Sequence, residues 1–432
     1  MKTNREIAAY ALGELKKAGA DSAQCTVSQG KGDELNVDGG EFSLMRSLFT
    51  SSISLKAIKG GKKGVAGTNR IDKEAVDEAV RSCILSAEGS VEDPAEYISP
   101  DQGIHSFTAG AAAGDNGKLF DRIDGYMKAV KAEYPKIVLE QLISSYSASE
   151  RLYMNTNGTE LTFKFGLYGF ESMFSAHEGE KASSFNGYGV KTDNLDSDFM
   201  DMGMMRQLLG ESERQLDTKP VDGKFVGTLV ITPACTLDLL GSLLRNCVTD
   251  TVLIDGTSPW KDKLGQKVAD SKLTVSSNPL DPRICDGERV TADGYVSEDY
   301  DILRDGVLTS FSLSQYGAKK SGNLRAKNTS FSIVIAEGDK SVDEIIASVD
   351  KGVLLGRFSG GSPETNGDFS GVAKNSFLIE NGKLCGALSE TMISGNLLDM
   401  VNNVQAVSRE TVCDGASVLP WIAFGGITVS GK

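Results

Sequence analysis

The first ninety residues change from helical to strand periodicity. Ile7, Ala11 and Leu15 recur at helical spacing, and Gly19 is placed to end that helix. Alternating apolar and polar residues separated by Gly or Asp-Gly turns then predict strands at 24–27, 35–37, 42–49 and 52–58. A predicted helix from Asp72 to Ala87 closes this first unit.

A second unit with the same two patterns follows an exposed connector. The connector spans Gly89–Gly114 and contains Pro94 and Pro100. After it, periodicity predicts a helix at 119–134, strands at 137–147, 151–156 and 161–174, and a long helix at 199–216. The pair Asn157-Gly158 predicts a tight hairpin between the last two strands.

The second half of the chain begins with a strand and a helix and then becomes rich in strands. Residues 227–231 read as a strand, and Pro233 is well placed to start a helix. One apolar face is predicted on that helix, formed by Leu237, Leu240, Leu243 and Leu244. Beyond Thr274, Asp305-Gly306 and Asn381-Gly382 mark hairpins.

These patterns predict an α+β fold with two domains. Residues 1–219 are expected to form an N-terminal domain with a mixed α/β sheet, in two subunits at about 1–90 and 112–219. Residues 220–432 are expected to form a strand-rich domain with a curved or barrel-like antiparallel sheet. A chain of 432 residues is long enough for two cores.

Composition narrows the classes of function. The net charge is −14 and no basic run offsets it, so we expect no nucleic-acid binding. No apolar run reaches the roughly 18 residues that span a bilayer, and residues 1–20 lack the apolar core of a signal peptide, so we expect a cytoplasmic protein without membrane contact. The seven cysteines, without a Cys-x-x-Cys pair, predict reduced thiols.

A glycine-rich stretch, Gly356–Phe369, stands where a strand would be expected. Its four glycines allow positive φ angles and let main chain approach another backbone or a ligand closely. A strand that ends in Asn381-Gly382 follows, and then a turn into a short helical segment at 393–400. In one-letter code these three segments read GGSPETNGDFSG, FLIENGKL and ISGNLLDM.

This combination resembles the C-terminal region of the TldD/PmbA family of metallopeptidase-related proteins, also called modulators of DNA gyrase. Ile53–Thr68 resembles the strand, glycine-rich turn and strand near the start of that family, and Cys413–Val429 resembles its end. Three separated segments in the right order extend the resemblance to most of the chain.

The resemblance implies a zinc site whose ligands this sequence lacks. Peptidases of the family are expected to carry His-Glu-x-x-x-His on the helix that opens the C-terminal domain, with a cysteine near the end. The matching helix, Thr232–Leu244, contains no histidine, and the only two in the chain are His105 and His177. Cys413 matches the late cysteine but lacks histidine partners. We therefore expect no metal ligand and no catalytic residue on this chain.

Other catalytic schemes find little support in the sequence. Cys235 and Asp238 stand on the same helix, but together with Cys413 they match no familiar peptidase ligand set. Nucleophile-elbow, phosphate-loop and dinucleotide motifs are absent from the sequence. Three acidic residues merit inspection, although solvated or capping roles are expected for them: Asp250, Asp255 and Asp368.

The resemblance is to a PmbA-like (TldE-like) member, the subunit without the zinc motif. It implies association with a zinc-bearing TldD-like sibling, so that zinc is expected on the partner, and self-association into a homodimer is the fallback. The loop is hypothesised to bind an extended or unfolded peptide by strand addition. The substrate-binding residues predicted for this loop are Gly360, Gly361, Ser362, Thr365, Asn366, Gly367 and Asp368.

Two alternatives of different class stay open. The chain could be a stand-alone hydrolase or peptidase with a non-histidine site built from carboxylates or Cys413. It could also be a non-catalytic peptide-binding scaffold. For the glycine-rich loop itself, the alternative to peptide binding is a stability-determining turn at a domain or subunit contact.

Overall fold

The structure, a computed structural model, describes residues 3–431 and consists of two large β-sheets with helices packed on them. The elements up to the end of the first sheet are α1 Asn4–Lys17, β1 Ser22–Asp38, β2 Glu41–Lys59, β3 Lys62–Thr68, α2 Lys73–Glu88, β4 Ile104–Gly110, α3 Asn116–Glu133, β5 Ile137–Asn155, β6 Glu160–Glu178, β7 Lys181–Ala182 and β8 Asn186–Thr192. A 3₁₀ turn at Phe199–Asp201 and helix α4 at Met205–Arg214 follow.

The remaining elements build the second sheet and its helices. They are β9 Thr218–Lys219, β10 Lys224–Ile231, α5 Pro233–Val248, α6 Asp250–Ile254, β11 Val275–Ser277, β12 Tyr300–Arg304, β13 Val307–Leu308, α7 Gln315–Ser321, β14 Ile333–Ile335, α8 Val342–Ala347, β15 Lys351–Leu355, β16 Arg357–Gly360, β17 Asp368–Lys374, β18 Phe377–Glu380, β19 Lys383–Leu388, β20 Met392–Asn396, α9 Leu397–Asn402, β21 Val404–Cys413 and β22 Val418–Ser430.

Two long hairpins, β1–β2 and β5–β6, form the centre of the curled first sheet, whose strand order is β3-β2-β1-β5-β6-β4. Strand β1 pairs with β5 from Gln24 to Asp38, so strands from both early segments of the chain share one sheet. Helices α1 and α2 bury their apolar faces at one end of this sheet, and α3 packs at the other. The hairpin predicted at Asn157-Gly158 is confirmed, because it joins β5 to β6.

Some predictions for this half were wrong in detail. The strands predicted at 24–27 and 35–37 form the single strand β1, and those predicted at 42–49 and 52–58 form β2. The expected connector contains strand β4, which pairs in parallel with β6 over seven residues. Strand β4 was not predicted because most of its side chains are exposed, and a strand without a buried face shows no alternation of apolar residues. The expected helix at 199–216 is interrupted at Gly203, whose φ of 55° ends the 3₁₀ turn before α4 begins.

The second sheet has fourteen strands and is mainly antiparallel, with parallel pairings of β10 with β15, β14 with β22, and β9 with β19. Its central strand is β22, which pairs with β10, β14, β20 and β21. The run Val418–Phe424 in β22 is wholly buried, as expected for a strand covered on both faces. The prediction of an α+β fold with a strand-rich second half is therefore confirmed, whereas the curled antiparallel sheet is the first one and the second sheet is mixed.

Helix α5 and two hairpins occur where the sequence predicted them. Leu240, Leu243 and Leu244 of α5 are buried in the core of the second half, and Leu237 packs against its edge. Asp305-Gly306 joins β12 to β13, and Asn381-Gly382 joins β18 to β19. All four turn residues have positive φ, between 50° and 76°, which is the geometry that these residue pairs favour in tight hairpins.

The two halves are in contact along a shared core. Trp421 and Ala423 of β22 pack in the same cluster as Leu119 of α3 and Phe170 of β6. The turn between β21 and β22 lies against β8, because Lys191 N–H donates to the carbonyl of Asp414 at 2.8 Å. This contact places β8 next to the β21–β22 turn, and the candidate functional site lies there. None of the helices within residues 3–431 has both the length and the apolar character that crossing a membrane requires.

Candidate functional site

Helix α5 begins at a cleft between the two sheets. Pro233, Ala234 and Leu237 from its first turns line a cavity of about 250 Å³. The opposite wall comes from β8 and from the end of β21 and start of β22, where Asp414 also lies. Helix α5, which corresponds to the expected metal-binding helix, therefore begins between the first sheet and the β21–β22 hairpin.

Cys235 and Asp238 lie together on α5, where Cys235 is buried and Asp238 is exposed. The Cys235 thiol donates to the Asp238 carboxylate at 3.5 Å. Burial raises the pKa of Cys235 well above its usual value, and partial desolvation of the carboxylate raises the pKa of Asp238. A thiol must lose its proton to bind a metal strongly, and without a bound metal this environment favours the protonated form of Cys235.

Cys413 lies in a separate place, at the end of β21. Its thiol donates to the carbonyl of Arg283 at 3.2 Å and accepts a hydrogen bond from Gly415 N–H at 3.3 Å. Cys285 donates to the carbonyl of the same Gly415 at 3.5 Å. Burial raises the pKa of Cys413, and burial raises that of Cys285 to about 12. Both thiols are therefore expected to be protonated at neutral pH.

A second cavity of about 510 Å³ adjoins Cys413 and Cys285. Three cationic side chains line it, but each already has a partner. Lys191 forms an ion pair with Asp286, Arg283 is held by Asp281 at 2.7 Å, and Arg289 donates to a main-chain carbonyl. The cavity therefore offers an approximately neutral, polar wall.

The side chains of Cys235, Asp238 and Cys413 do not form a ligand set that fits a zinc ion. Zinc sites in proteins use three or four deprotonated thiols, imidazoles or carboxylates that converge on one point. Across residues 3–431, no group of three or more His, Cys, Asp or Glu side chains converges in this way. Cys235 and Asp238 are hydrogen-bonded to each other, and Cys413 faces a different segment of the chain.

Both histidines lie on strands of the N-terminal half of the chain. His105 belongs to β4, where its Nε2 lies 2.9 Å from the carbonyl of Gln102. His177 is near the end of β6, and its Nε2 lies 2.9 Å from Ser175 Oγ. Both rings therefore belong to the first sheet.

The glycine-rich loop lies beside α5 and is tied to it. Asn246 of α5 donates to the carbonyls of Pro363 and Glu364 at 3.4 and 3.2 Å. Asn396, before α9, donates to the Asn366 carbonyl and the Asp368 carboxylate, each at 2.9 Å. The predicted binding residues fall into two groups: exposed main chain at Gly360, Gly361, Ser362 and Thr365, and an internally bonded turn at Asn366, Gly367 and Asp368.

Strand β16, which leads into the loop, has an edge that is open to a further strand at Gly360, although α5 covers the same edge at Phe358. Within residues 3–431 it pairs only with β17, on one side. The main-chain N–H of Phe358 points to the Cys235 thiol and therefore away from β17. Since residues of an antiparallel pair alternate in direction, the N–H and C=O of Gly360 also point outward. Ser359 and Gly360 are exposed.

Arg357, at the start of β16, is a feature that the sequence analysis did not identify. Its guanidinium lies 4.2 Å from the centre of the Phe185 ring and donates to Ser184 Oγ at 3.1 Å. Its Nε is buried and lacks a hydrogen-bond partner within the described part of the chain. Burial lowers the pKa of Arg357, while Asp238 acts in the opposite direction. No sequence signal indicated this contact, because its partners are more than 170 residues apart.

The three acidic residues selected for inspection have structural roles. Asp250 accepts hydrogen bonds from the N–H of Ser314 at 2.9 Å and from its hydroxyl at 2.5 Å, which links α6 to the start of α7. Asp255 is the C-cap residue that follows α6. Asp368 shapes the loop turn. None of the three shares a hydrogen bond with a second carboxylate within residues 3–431.

Two sheets that meet at the start of α5, with a glycine-rich loop hydrogen-bonded to the same helix, define an α+β fold. Residues 224–431 match the family model for the PmbA/TldA metallopeptidase C-terminal domain, and residues 25–87 match that for PmbA/TldA metallopeptidase domain 1. The chain belongs to the PmbA/TldD family.

Individual relatives resemble the chain over nearly its whole length. Metalloprotease PmbA of Escherichia coli O157:H7 is 22% identical over 433 residues, which cover 96% of this chain and 94% of the relative. The crystal structure of TldE from Thermococcus kodakarensis superposes with a TM-score of 0.87 at 19% identity, covering 98% and 99% of the two chains. A candidate modulator of DNA gyrase from Bacteroides thetaiotaomicron has a TM-score of 0.84 at 24% identity, with full coverage of both chains. At these identities the solved structures show a shared fold.

Proposed function

We propose that this chain is the PmbA/TldE-like subunit of a cytoplasmic TldD/PmbA-type metallopeptidase system. In this proposal, a zinc-bearing TldD-like sibling supplies the catalytic metal, and this chain contributes peptide binding and complex assembly. The sequence of α5 supports this division of roles, because it contains no histidine. The bonding of Cys235 to Asp238 supports it as well, since it occupies the two potential ligands that the helix does carry.

The open edge of β16 is the observation that carries the peptide-binding part of the proposal. An extended peptide placed beside this edge would bond to the outward N–H and C=O of Gly360 and so continue the sheet. A side chain at this position is disfavoured, because a Cβ would lie 2.7 Å from the carbonyl oxygen of Ser370. Glycine also leaves the approach to the main chain clear. Recognition through main chain tolerates many peptide sequences.

The loop is held in shape before any peptide arrives. Hydrogen bonds from Asn246 and Asn396 fix both sides of the turn at Asn366–Asp368. A loop that is ordered in advance loses less conformational entropy on binding. The roles of Asn366, Gly367 and Asp368 are then to shape the loop, while the residues from Gly360 to Thr365 contact the peptide.

If the peptide binds by strand addition, its affinity should depend on every second main-chain N–H group of the peptide. The probe is a fluorescein-labelled ten-residue peptide of alternating Val and Thr, with two analogues N-methylated at either the odd or the even positions. One analogue should bind at least tenfold more weakly than the parent peptide, and the other less than twofold, because only every second N–H faces the added strand. Fluorescence anisotropy measures the three dissociation constants. Equal losses for the two analogues would argue against strand addition.

If this chain acts as part of a complex, a peptide should be hydrolysed only when this chain is mixed with the zinc-bearing sibling. Affinity purification from the native cell should recover the sibling with this chain, and the reconstituted mixture should cleave an unfolded peptide at least tenfold faster than either chain alone. Elemental analysis should find zinc in the sibling. Stoichiometric zinc or peptide cleavage with this chain alone would instead favour the stand-alone hydrolase, and association without cleavage would favour the scaffold.

A further inference from the structure

Arg151 of β5 carries a guanidinium that has no partner within residues 3–431. The side chain is partly buried, but it forms neither a hydrogen bond nor an ion pair with the described part of the chain. Burial lowers the pKa of Arg151, and the carboxylate of Glu288 offsets this only in part. Glu288 itself accepts hydrogen bonds from the hydroxyls of Ser297 and Thr329, each at 2.8 Å. A partly desolvated guanidinium in this position would be stabilised by contact with an anion.

Arg151 lies on the face of the first sheet opposite to helices α1 and α2. Leu152, its neighbour along β5, packs with Val27 among the residues of these two helices. Tyr153, the next residue, packs with Val290 of the second half of the chain. Because side chains alternate along a strand, Arg151 shares the face of Tyr153 and lies close to the border of the second half.

The neighbours of Arg151 on this face are hydroxyls and a pair of aromatic rings. Ser28 of β1 lies opposite Arg151 on one side, and Phe163 of β6 lies opposite it on the other. Ser149 follows on the same face of β5, with Phe165 opposite it. The rings of Phe163 and Phe165 are 5.2 Å apart and only partly buried. Cationic and hydroxyl donors thus lie next to an apolar surface.

We propose that Arg151 binds the carboxyl terminus of a peptide whose last residue is apolar. This inference rests on the peptide binding proposed above and names the end of the peptide that is recognised. Facing residues of an antiparallel pair have Cβ atoms about 4.5–5.5 Å apart. A C-terminal residue carries its carboxylate and its side chain on one carbon atom, so it can contact the guanidinium of Arg151 and the ring of Phe163 together. An acidic residue inside an extended peptide cannot do so, because its neighbours point to the other face.

The same face leads from Arg151 to the cleft at α5. Ser145, on this face of β5, lines a cavity of about 460 Å³. Gly189 and Asp414 line that cavity and also the one at the start of α5. At about 3.3 Å per residue, Ser145 is about 20 Å from Arg151. A peptide anchored at Arg151 would therefore reach the cleft after about six extended residues.

Amidation of the peptide tests this inference. The probe is a ten-residue peptide of alternating Thr and Val with fluorescein at its amino terminus, Val as its last residue, and either a free carboxylate or an amide at its end. Fluorescence anisotropy should show at least about tenfold tighter binding of the acid, because only the carboxylate forms charge-assisted hydrogen bonds with Arg151. Replacing the last Val of the acid by Gly should weaken its binding about fivefold, because less apolar surface is buried.

Arg151→Gln should abolish the preference for the acid. The affinity for the acid should fall at least about tenfold and that for the amide less than about twofold, because the substitution removes the charge that the amide does not use. Retained binding of the amide shows that the variant is folded. Lys164→Gln is the matched control and should keep the preference, since Lys164 pairs with Glu150 on the opposite face of the same two strands.

The possible outcomes separate this inference from the function on which it rests. Equal binding of acid and amide, with the alternating effect of N-methylation intact, would overturn the role of Arg151 and leave strand addition in place. A preference for the acid that survives Arg151→Gln would do the same. Full recovery of affinity by one Asp in the middle of the amide would show that any carboxylate is bound, which also contradicts the inference. Absence of binding for every peptide would overturn the peptide-binding function and this inference together.

Discussion

Arg325→Ala should lower the free energy of unfolding by about 3–5 kcal/mol, as is typical when one partner of a buried ion pair is removed. The Arg325 side chain is only 12% exposed and donates two hydrogen bonds to the Asp293 carboxylate, at 2.8 and 3.0 Å. The guanidinium also lies 3.7 Å from the centre of the Tyr295 ring, and Tyr295 is hydrogen-bonded to Tyr97 of the first half of the chain. The substitution therefore leaves a carboxylate unpaired beside a contact between the two halves.

Urea unfolding of the variant and of Lys327→Ala measures this effect. Lys327 pairs with Glu298 at 2.9 Å, but both side chains are more than half exposed, so its removal should cost no more than about 1 kcal/mol. If both variants lose the same small amount, the Arg325 pair is not an important source of stability.

The loss in Arg325→Ala should also shrink in acid. Burial would raise the pKa of Asp293, but Arg325 outweighs it and lowers the pKa below its usual value. The stability that this carboxylate contributes is therefore present above its unfolded pKa of about 3.8–3.9 and is lost as pH falls through the lower folded value. Unfolding curves at neutral pH and near pH 3 measure the change.

Gly415→Ala should destabilise the protein by about 2–5 kcal/mol and open the cavity beside Cys413. Gly415 has a φ of 90°, a conformation that costs other residues about 1–2 kcal/mol. An added Cβ would also lie 2.1 Å from the carbonyl oxygen of Lys191, and relieving such a clash adds about 1–3 kcal/mol. The turn would have to move away from β8, which would break the contact between the two sheets at the candidate site.

Gly256→Ala separates these two contributions. Gly256 has a φ of 67°, but an added Cβ would have no neighbour within 4 Å in the described structure. This control should lose only the backbone cost of about 1–2 kcal/mol. Thermal and urea unfolding measure both variants, and faster labelling of Cys413 by a thiol reagent in Gly415→Ala alone would report the opened cavity. Equal stability of the two variants would show that the turn is not tightly packed against β8.

Elements with a local signal were predictable from the sequence. The spacing of Leu240, Leu243 and Leu244 and the position of Pro233 were sufficient for α5, because a helix depends on residues within a turn of each other. Asn381-Gly382 was sufficient for a hairpin, since these two residues readily adopt positive φ. Strand β4 carried no such signal, because its stability comes from pairing with β6, more than fifty residues away.

The surroundings of the candidate site depended on more distant contacts. The sequence placed Cys413 in a family motif, but the structure was needed to show that its thiol bonds to Arg283 and shares Gly415 with Cys285. The same holds for Arg357 and Phe185, which meet across the boundary between the two halves.

Residue types and short spacings were thus enough to establish the class of fold, the positions of tight turns and the absence of histidine from α5. The three-dimensional arrangement was needed to establish which edges stay open and which thiols are buried. The reason is physical: a turn depends on the φ preferences of a few adjacent residues, whereas burial and edge exposure depend on segments up to several hundred residues apart that pack together only in the folded chain.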